Sequence, residues 1–154
     1  MFEDEITRFS ESAADDLGML LMDAASTVVA ATIDRLSAGG HTRIRPGHVP
    51  VFARIDPEGT TISTLASRAG VSRQAMSVVV RELEEHGYVQ TAPDAHDRRA
   101  TRVELTARGA ALCRDATRIS GEIAAGVAAE LGPGRVAELR ATLRHLTAGT
   151  AAPA

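Results

Sequence analysis

The stretch from Thr61 to Gly109 places two helix stop-and-start signals close together and follows them with two alternating segments around a basic turn. Few chain paths satisfy all of these at once. Ser63 is expected to cap a helix that carries Leu65, Ala66 and Ala69 on one side, because its hydroxyl can accept from the free N–H groups of a first turn. Gly70 should end that helix in the left-handed conformation that other residues resist. Val71 is read as the single apolar plug of the turn, and Ser72 as the next cap. Two helices therefore meet across a turn of three or four residues.

At about 100° per residue the second helix, Arg73 to His86, divides into two faces. Met76, Val79, Val80 and Leu83 fall at i, i+3, i+4 and i+7 and should face a core. Gln74, Ser77, Val78 and Arg81 lie opposite, with no acid before Glu82. A helix facing only water would normally carry Glu and Lys there. An acid-free face of hydrogen-bonding side chains at the positive end of a helix suits entry into the major groove of DNA, where phosphates and base edges must both be met.

Beyond Gly87, Tyr88 to Thr91 and Thr101 to Leu105 alternate apolar with polar, as half-buried strands do. Between them, Pro93 to Arg99 forms a turn-rich tip ending in Arg98 and Arg99. Such a hairpin can place a guanidinium in the minor groove, where the negative potential is deepest. Asp97 is expected to hold Arg99 through a bidentate pair. The doublet leaves open which of Arg98 and Arg99 takes which contact.

The pattern Asp97-x-Arg99-Ala100, then Val103-x-Leu105-Thr106-x-x-Gly109, resembles the MarR family of bacterial transcription regulators. Leu65-Ala66, Gly70-Val71-Ser72 and Leu83-Glu84-x-x-Gly87-Tyr88-Val89 belong to the same resemblance, which covers about the middle third of the chain. It implies a homodimer on double-stranded DNA, with the second motif helix in the major groove, the wing arginine in the minor groove, and release by a small molecule or an oxidation event. Carried onto this sequence, Arg73, Gln74 and Ser77 would read bases. Ser63, Ser72 and Arg81 would contact phosphate, and Asp97, Arg98 and Arg99 would serve the wing. Similar sequences often carry a basic residue where Val78 stands. Either a contact is missing there, or Val78 meets a thymine methyl.

The flanks are helical by pattern. Ser10 to Leu36 carries Leu17, Leu20, Leu21, Ala24, Val28 and Ile33 on a stripe about 40 Å long, more than a small reading unit can cover. Arg43 to His48 is a basic loop that could face phosphate, a carboxylate ligand or water, and it leads into a short helix over Pro46 to Ile55. Thr106 should cap a helix to Leu131. After Gly132-Pro133-Gly134, Val136, Leu139, Leu143 and Leu146 form a narrow coiled-coil-like seam. The expected fold is mainly α with a small β-hairpin wing, a winged helix-turn-helix within one domain. Residues 46–105 would be the DNA-binding region and 10–38 and 106–148 the dimerisation helices, with 149–154 a disordered tail. Paired flanks would set two recognition helices ~34 Å apart, one DNA turn, on an inverted repeat.

Composition bounds the alternatives. With no lysine and no tryptophan, the 17 basic residues are all arginines, and the formal charge is −3. That charge argues against an architectural protein that binds any sequence, since such binding depends on phosphate neutralisation. Its distribution points the other way for a specific reader: six acids crowd the first twenty residues, whereas Arg68, Arg73, Arg81, Arg98, Arg99, Arg102 and Arg108 gather in or near the motif. One cysteine, Cys113, excludes an internal disulfide. Arg108 and Arg114 nearby could favour its thiolate and allow redox response, while an apolar helix favours a packing role. The five histidines show no ligand spacing, so no metal is expected. No nucleophile elbow, phosphate loop or dinucleotide loop is present, and neither an enzyme nor a cofactor is expected. Acids precede any apolar run, no segment reads as a membrane span, and the cytoplasm is the expected location.

Overall fold

The computed structural model describes residues 2–149. In chain order these form α1 (Glu3–Ala13), α2 (Leu17–Ala38), a 3-10 turn (Pro46–His48), α3 (Val49–Phe52), β1 (Thr60–Thr61) and α4 (Ile62–Ala69). Then follow α5 (Arg73–Glu85), β2 (Val89–Pro93), β3 (Thr101–Leu105), α6 (Ala107–Leu131) and α7 (Pro133–Gly149). The chain divides into two compact units, with the division inside α6 between Ala116 and Thr117. The tail expected at 149–154 lies almost wholly outside the described residues.

The first unit holds the helix-turn-helix and its wing. Gly70 ends α4 in the left-handed region at φ 67°, and the Val71 N–H then reaches the Ala66 carbonyl at 3.1 Å, closing the helix end as a Schellman turn does. Ser72 caps α5, its hydroxyl accepting from the Ala75 N–H at 3.1 Å. Met76, Val80 and Leu83 are buried and Val79 is half-buried. The core beneath them contains Val51, Leu65, Tyr88, Val89 and Val103. The hairpin pairs Val89 with Leu105 and Pro93 with Thr101.

Several expectations need correction. The N-cap of α4 is Thr61, which accepts from the Thr64 N–H at 3.2 Å. Ser63 sits inside the first turn, because β1 delivers the chain extended as far as Thr61. That strand has only two residues, too few for an alternating pattern: Thr60 and Thr61 pair with Val103 and Arg102, placing β3 in the middle of a three-stranded sheet. Val71 is 46% exposed and is therefore not a buried plug. The long first helix is two, because Asp16 turns its carboxylate onto the Met19 N–H at 3.0 Å and starts a new helix after a break. The helix expected over Pro46 to Ile55 ends at Phe52.

A further correction concerns α2. By length and composition this helix is apolar enough to cross a membrane, with a mean hydropathy of 1.4 over its most apolar window. Asp23 and Asp34 interrupt its apolar run, which is why no uninterrupted span stands out in the sequence. Leu36 is its one fully buried residue, and Leu17, Leu20, Met22 and Val28 are exposed. On α1, Phe2, Ile6 and Phe9 are likewise exposed. In the second unit, Ile119 and Val136 are buried, while Leu139, Leu143 and Leu146 on α7 are exposed.

Candidate nucleic-acid interface

The exposed strip of α5 follows from its core. With Met76 and Leu83 facing inward, Gln74, Val78, Arg81 and Glu85 project within about 60° of one another on the opposite side. All four are exposed, as is Arg73 at the N-terminal end. Ser77 is half-buried at the edge of this strip, its hydroxyl donating to the Arg73 carbonyl at 2.8 Å. The strip begins at the helix N-terminus, where partial positive charge accumulates.

Each flank of α5 is anchored by an acid whose place in the sequence gives no hint of that role. On one side Glu82 accepts from the Arg45 guanidinium and from His48 Nε2, the latter at 3.1 Å. On the other, Glu84 accepts from the Thr91 N–H at 2.8 Å and from its hydroxyl at 2.7 Å. The first bond set joins α5 to the loop before α3, and the second joins it to β2. The Arg45 contact, then that of His48, holds the Glu82 carboxyl below its usual range. His48 is 1% exposed, and burial lowers its basicity. Of the three readings left open for the basic loop, water holds for Arg45, which stays exposed while its guanidinium pairs with a protein carboxylate.

The arginines that cluster in sequence separate in space. Arg68 binds the Asp56 carboxylate at 2.9 Å and the Arg54 carbonyl at 2.7 Å. Arg102 binds the Glu58 carbonyl and the Asp94 carboxylate, both at 3.1 Å. Arg108 donates to the His86 carbonyl at 3.0 Å and covers the Tyr88 ring at 4.5 Å. These three serve the fold. Arg73, Arg81, Arg98 and Arg99 are exposed, and among the described residues their guanidiniums make no hydrogen bond or ion pair to protein.

At the wing tip Asp97 does not pair with the Arg99 side chain. Its carboxylate accepts from the Arg99 backbone N–H at 3.0 Å, and its carbonyl accepts from the Ala100 N–H at 2.8 Å. The expected ion pair is thus replaced by a turn, because the short Asp side chain reaches the backbone two residues on before it reaches a guanidinium. Asp94, not singled out from the sequence, is the buried centre of the tip. It accepts from the N–H groups of His96 at 2.9 Å and Asp97 at 3.1 Å, as well as from Arg102. Those backbone bonds first, then the Arg102 charge, hold its carboxyl below the usual range. The spacing Asp94-x-His96-Asp97 is a visible signal for such a turn.

A second buried polar group lies at the C-terminal end of α2. His41 Nδ1 is 3.1 Å from the Tyr88 hydroxyl, and Nε2 is 3.2 Å from the Asp115 carboxylate on α6. No grouping of metal-ligating residues occurs among the described residues. Cys113 is half-buried, and burial pushes its thiol up more strongly than Arg114 draws it down. That direction runs against a reactive thiolate.

An exposed helical strip with no acid before Glu85, beside a hairpin tipped with two exposed arginines, is the arrangement of a winged helix-turn-helix fold. Comparison with known proteins agrees. A family profile described as MarR family matches residues 44–100. A MarR-family transcriptional regulator from Rhodococcus sp. RHA1 is 25% identical over 86% of this chain and 93% of its own, with a TM-score of 0.70. The protein CouR from Rhodococcus jostii RHA1, solved bound to p-coumaroyl-CoA, is 26% identical over 87% of this chain and 93% of its own, with a TM-score of 0.67. The repressor CouR bound to a 23-mer DNA duplex superposes with a TM-score of 0.72 at 20% identity, over 87% and 94% of the two chains. Among curated proteins, no sequence matches. The profile match is confined to residues 44–100, and over most of its length the chain shares the fold of MarR-family regulators.

Proposed function

We propose that this protein is a ligand-responsive repressor that acts as a homodimer on an inverted-repeat operator in the cytoplasm. In each subunit α5 enters the major groove, where Arg73, Gln74 and Ser77 reach base edges and Arg81 meets phosphate. Ser72 contributes a phosphate contact from its capping position, and Ser63, exposed on α4, adds another. Arg98 and Arg99 occupy the minor groove or its phosphates, on a turn built by Asp97. The observation that carries this reading is the sorting of arginines: Arg68, Arg102 and Arg108 are bonded to protein, and Arg73, Arg81, Arg98 and Arg99, on the proposed DNA side, are not.

Dimerisation is supported by the exposed apolar faces of α1, α2 and α7. Phe9 at 71% exposure and Leu17 at 63% are costly in water, and a second copy of the chain would cover them. The same cover accounts for α2 without a membrane, since the carboxylates of Asp23 and Asp34 within that helix are costly in lipid. A small-molecule effector is supported by the p-coumaroyl-CoA bound to CouR. The reading is tested by light scattering together with fluorescence anisotropy on the genomic fragments flanking the gene. A dimer that binds one fragment in preference to random duplex is expected, and a monomer without preference refutes it.

A further inference from the structure

We infer that Val78 is a specificity-determining residue, reading the 5-methyl group of a thymine in the major groove. The inference rests on the assignment of α5 as the groove-binding helix and adds to it a base identity. Val78 is 46% exposed. It follows Gln74 by four residues and precedes Arg81 by three, so the three side chains form one strip along the helix. The core of α5 is complete without it, because Met76, Val80 and Leu83 are already buried. Nor does helix formation favour a β-branched residue at an exposed position, where Ala or Arg would do better. Ser77 beside it has its hydroxyl proton engaged by the Arg73 carbonyl. The strip therefore offers a donor and acceptor amide, an isopropyl group and a guanidinium in that order, outward from the helix N-terminus.

Major-groove chemistry gives that order a meaning. Thymine is the one standard base whose groove edge carries a methyl group, and a Gln amide pairs in bidentate fashion with adenine N6 and N7. Because adenine and thymine are partners, Gln74 and Val78 make compatible demands, on one A·T pair or on two neighbouring ones. An apolar side chain gains nothing from a phosphate or from a guanine edge, and its burial against a methyl removes both from water.

The operator itself is found in the first step of the test. The full-length protein selects a site from a pool of random-sequence duplexes. That site is then synthesised with deoxyuridine replacing each thymine in turn, which removes the methyl and leaves base pairing intact. Replacement at one symmetry-related thymine should weaken binding about fourfold per half-site, and Val78→Ala should abolish the difference between the two duplexes. Alanine at an exposed helical position preserves the fold. Equal affinity for thymine and deoxyuridine at every position overturns the inference, as does an undiminished thymine preference in Val78→Ala. Failure to select any site defeats the DNA-reading assignment itself, and the two failures are thereby distinguished.

Discussion

Glu82 on the recognition helix accepts a hydrogen bond from the buried His48 side chain, Nε2 to Oε2, at 3.1 Å. His48 Nδ1 in turn accepts the Arg45 N–H at 3.3 Å, so the ring is neutral with its proton on Nε2. The bond fixes one flank of α5, and Glu84 fixes the other through Thr91. The exposed strip between these flanks thus has its rotation about the helix axis set by two carboxylates as well as by the core. In a reader of base edges, that rotation decides which side chains reach the groove.

Acid should loosen this arrangement. The charged groups facing His48 are Glu82, Arg45 and His86, and burial outweighs the carboxylate, so the folded His48 titrates below its ordinary value of 6.5. The unfolded chain then takes up this proton first as the pH falls. The contribution is complete above about pH 6.5 and is lost progressively below it until the folded value is passed. One proton per subunit limits the slope to ~1.4 kcal/mol per pH unit. Glu82, depressed in the fold, adds a loss only in the more acidic carboxylate range. Urea denaturation from pH 7.5 to 5 should show this decline, and His48→Gln should flatten it. A His48→Gln profile parallel to that of the native protein would rule the bond out as the cause.

Arginine substitutions should sort into two classes. Arg98→Ala and Arg99→Ala are expected to weaken operator binding by ~1–3 kcal/mol each, with thermal unfolding unchanged, because neither guanidinium is bonded to protein. Arg102→Ala should weaken binding too, and should also expose the wing to proteolysis, since the buried Asp94 then lacks its counter-charge. Anisotropy titrations and limited trypsin digestion separate the classes. Equal protease resistance in all three variants would contradict the division.

What the sequence disclosed and what it hid follow a physical rule. The helix-turn-helix was legible because Gly70 and Ser72 act locally, and because Met76, Val80 and Leu83 recur at helical spacing. The hairpin was legible through alternation, and the family resemblance through the run from Asp97 to Gly109. The anchors Arg45–Glu82, Arg68–Asp56 and Arg102–Asp94 were not, because which carboxylate a guanidinium meets depends on tertiary neighbours up to 37 residues away. Local composition therefore overstated the number of arginines available for DNA, and understated the part played by Glu82 and Glu84.

The start of α4 offers a direct contrast between neighbouring hydroxyls. Thr61 caps the helix, and Ser63, two residues later, is exposed within its first turn. Thr61→Ala should cost ~1 kcal/mol of stability. Ser63→Ala should leave stability within about 0.5 kcal/mol and act on DNA affinity alone. Chemical denaturation of both variants decides the matter, and a larger loss for Ser63→Ala would return the cap to that residue.

Gly109 closes the run Val103-x-Leu105-Thr106-x-x-Gly109, and its role is steric. A Cβ placed there would lie 2.1 Å from the Tyr88 carbonyl oxygen and 3.1 Å from a Leu105 methyl. The same carbonyl accepts the Thr106 N–H at 3.2 Å, and the Thr106 hydroxyl donates to the Gly87 carbonyl at 2.6 Å while accepting from the Gly109 N–H. The first turn of α6 is thereby seated directly on the backbone that leads from the recognition helix into the wing. Backbone cannot step aside as a flexible side chain can, so Gly109→Ala must push α6 away from Tyr88. The expected cost is on the order of 3 kcal/mol, seen as a lowered melting temperature. DNA affinity should fall with it, because α5, Tyr88 and β2 move together. A variant as stable as the native protein would show that α6 approaches less closely than this contact requires.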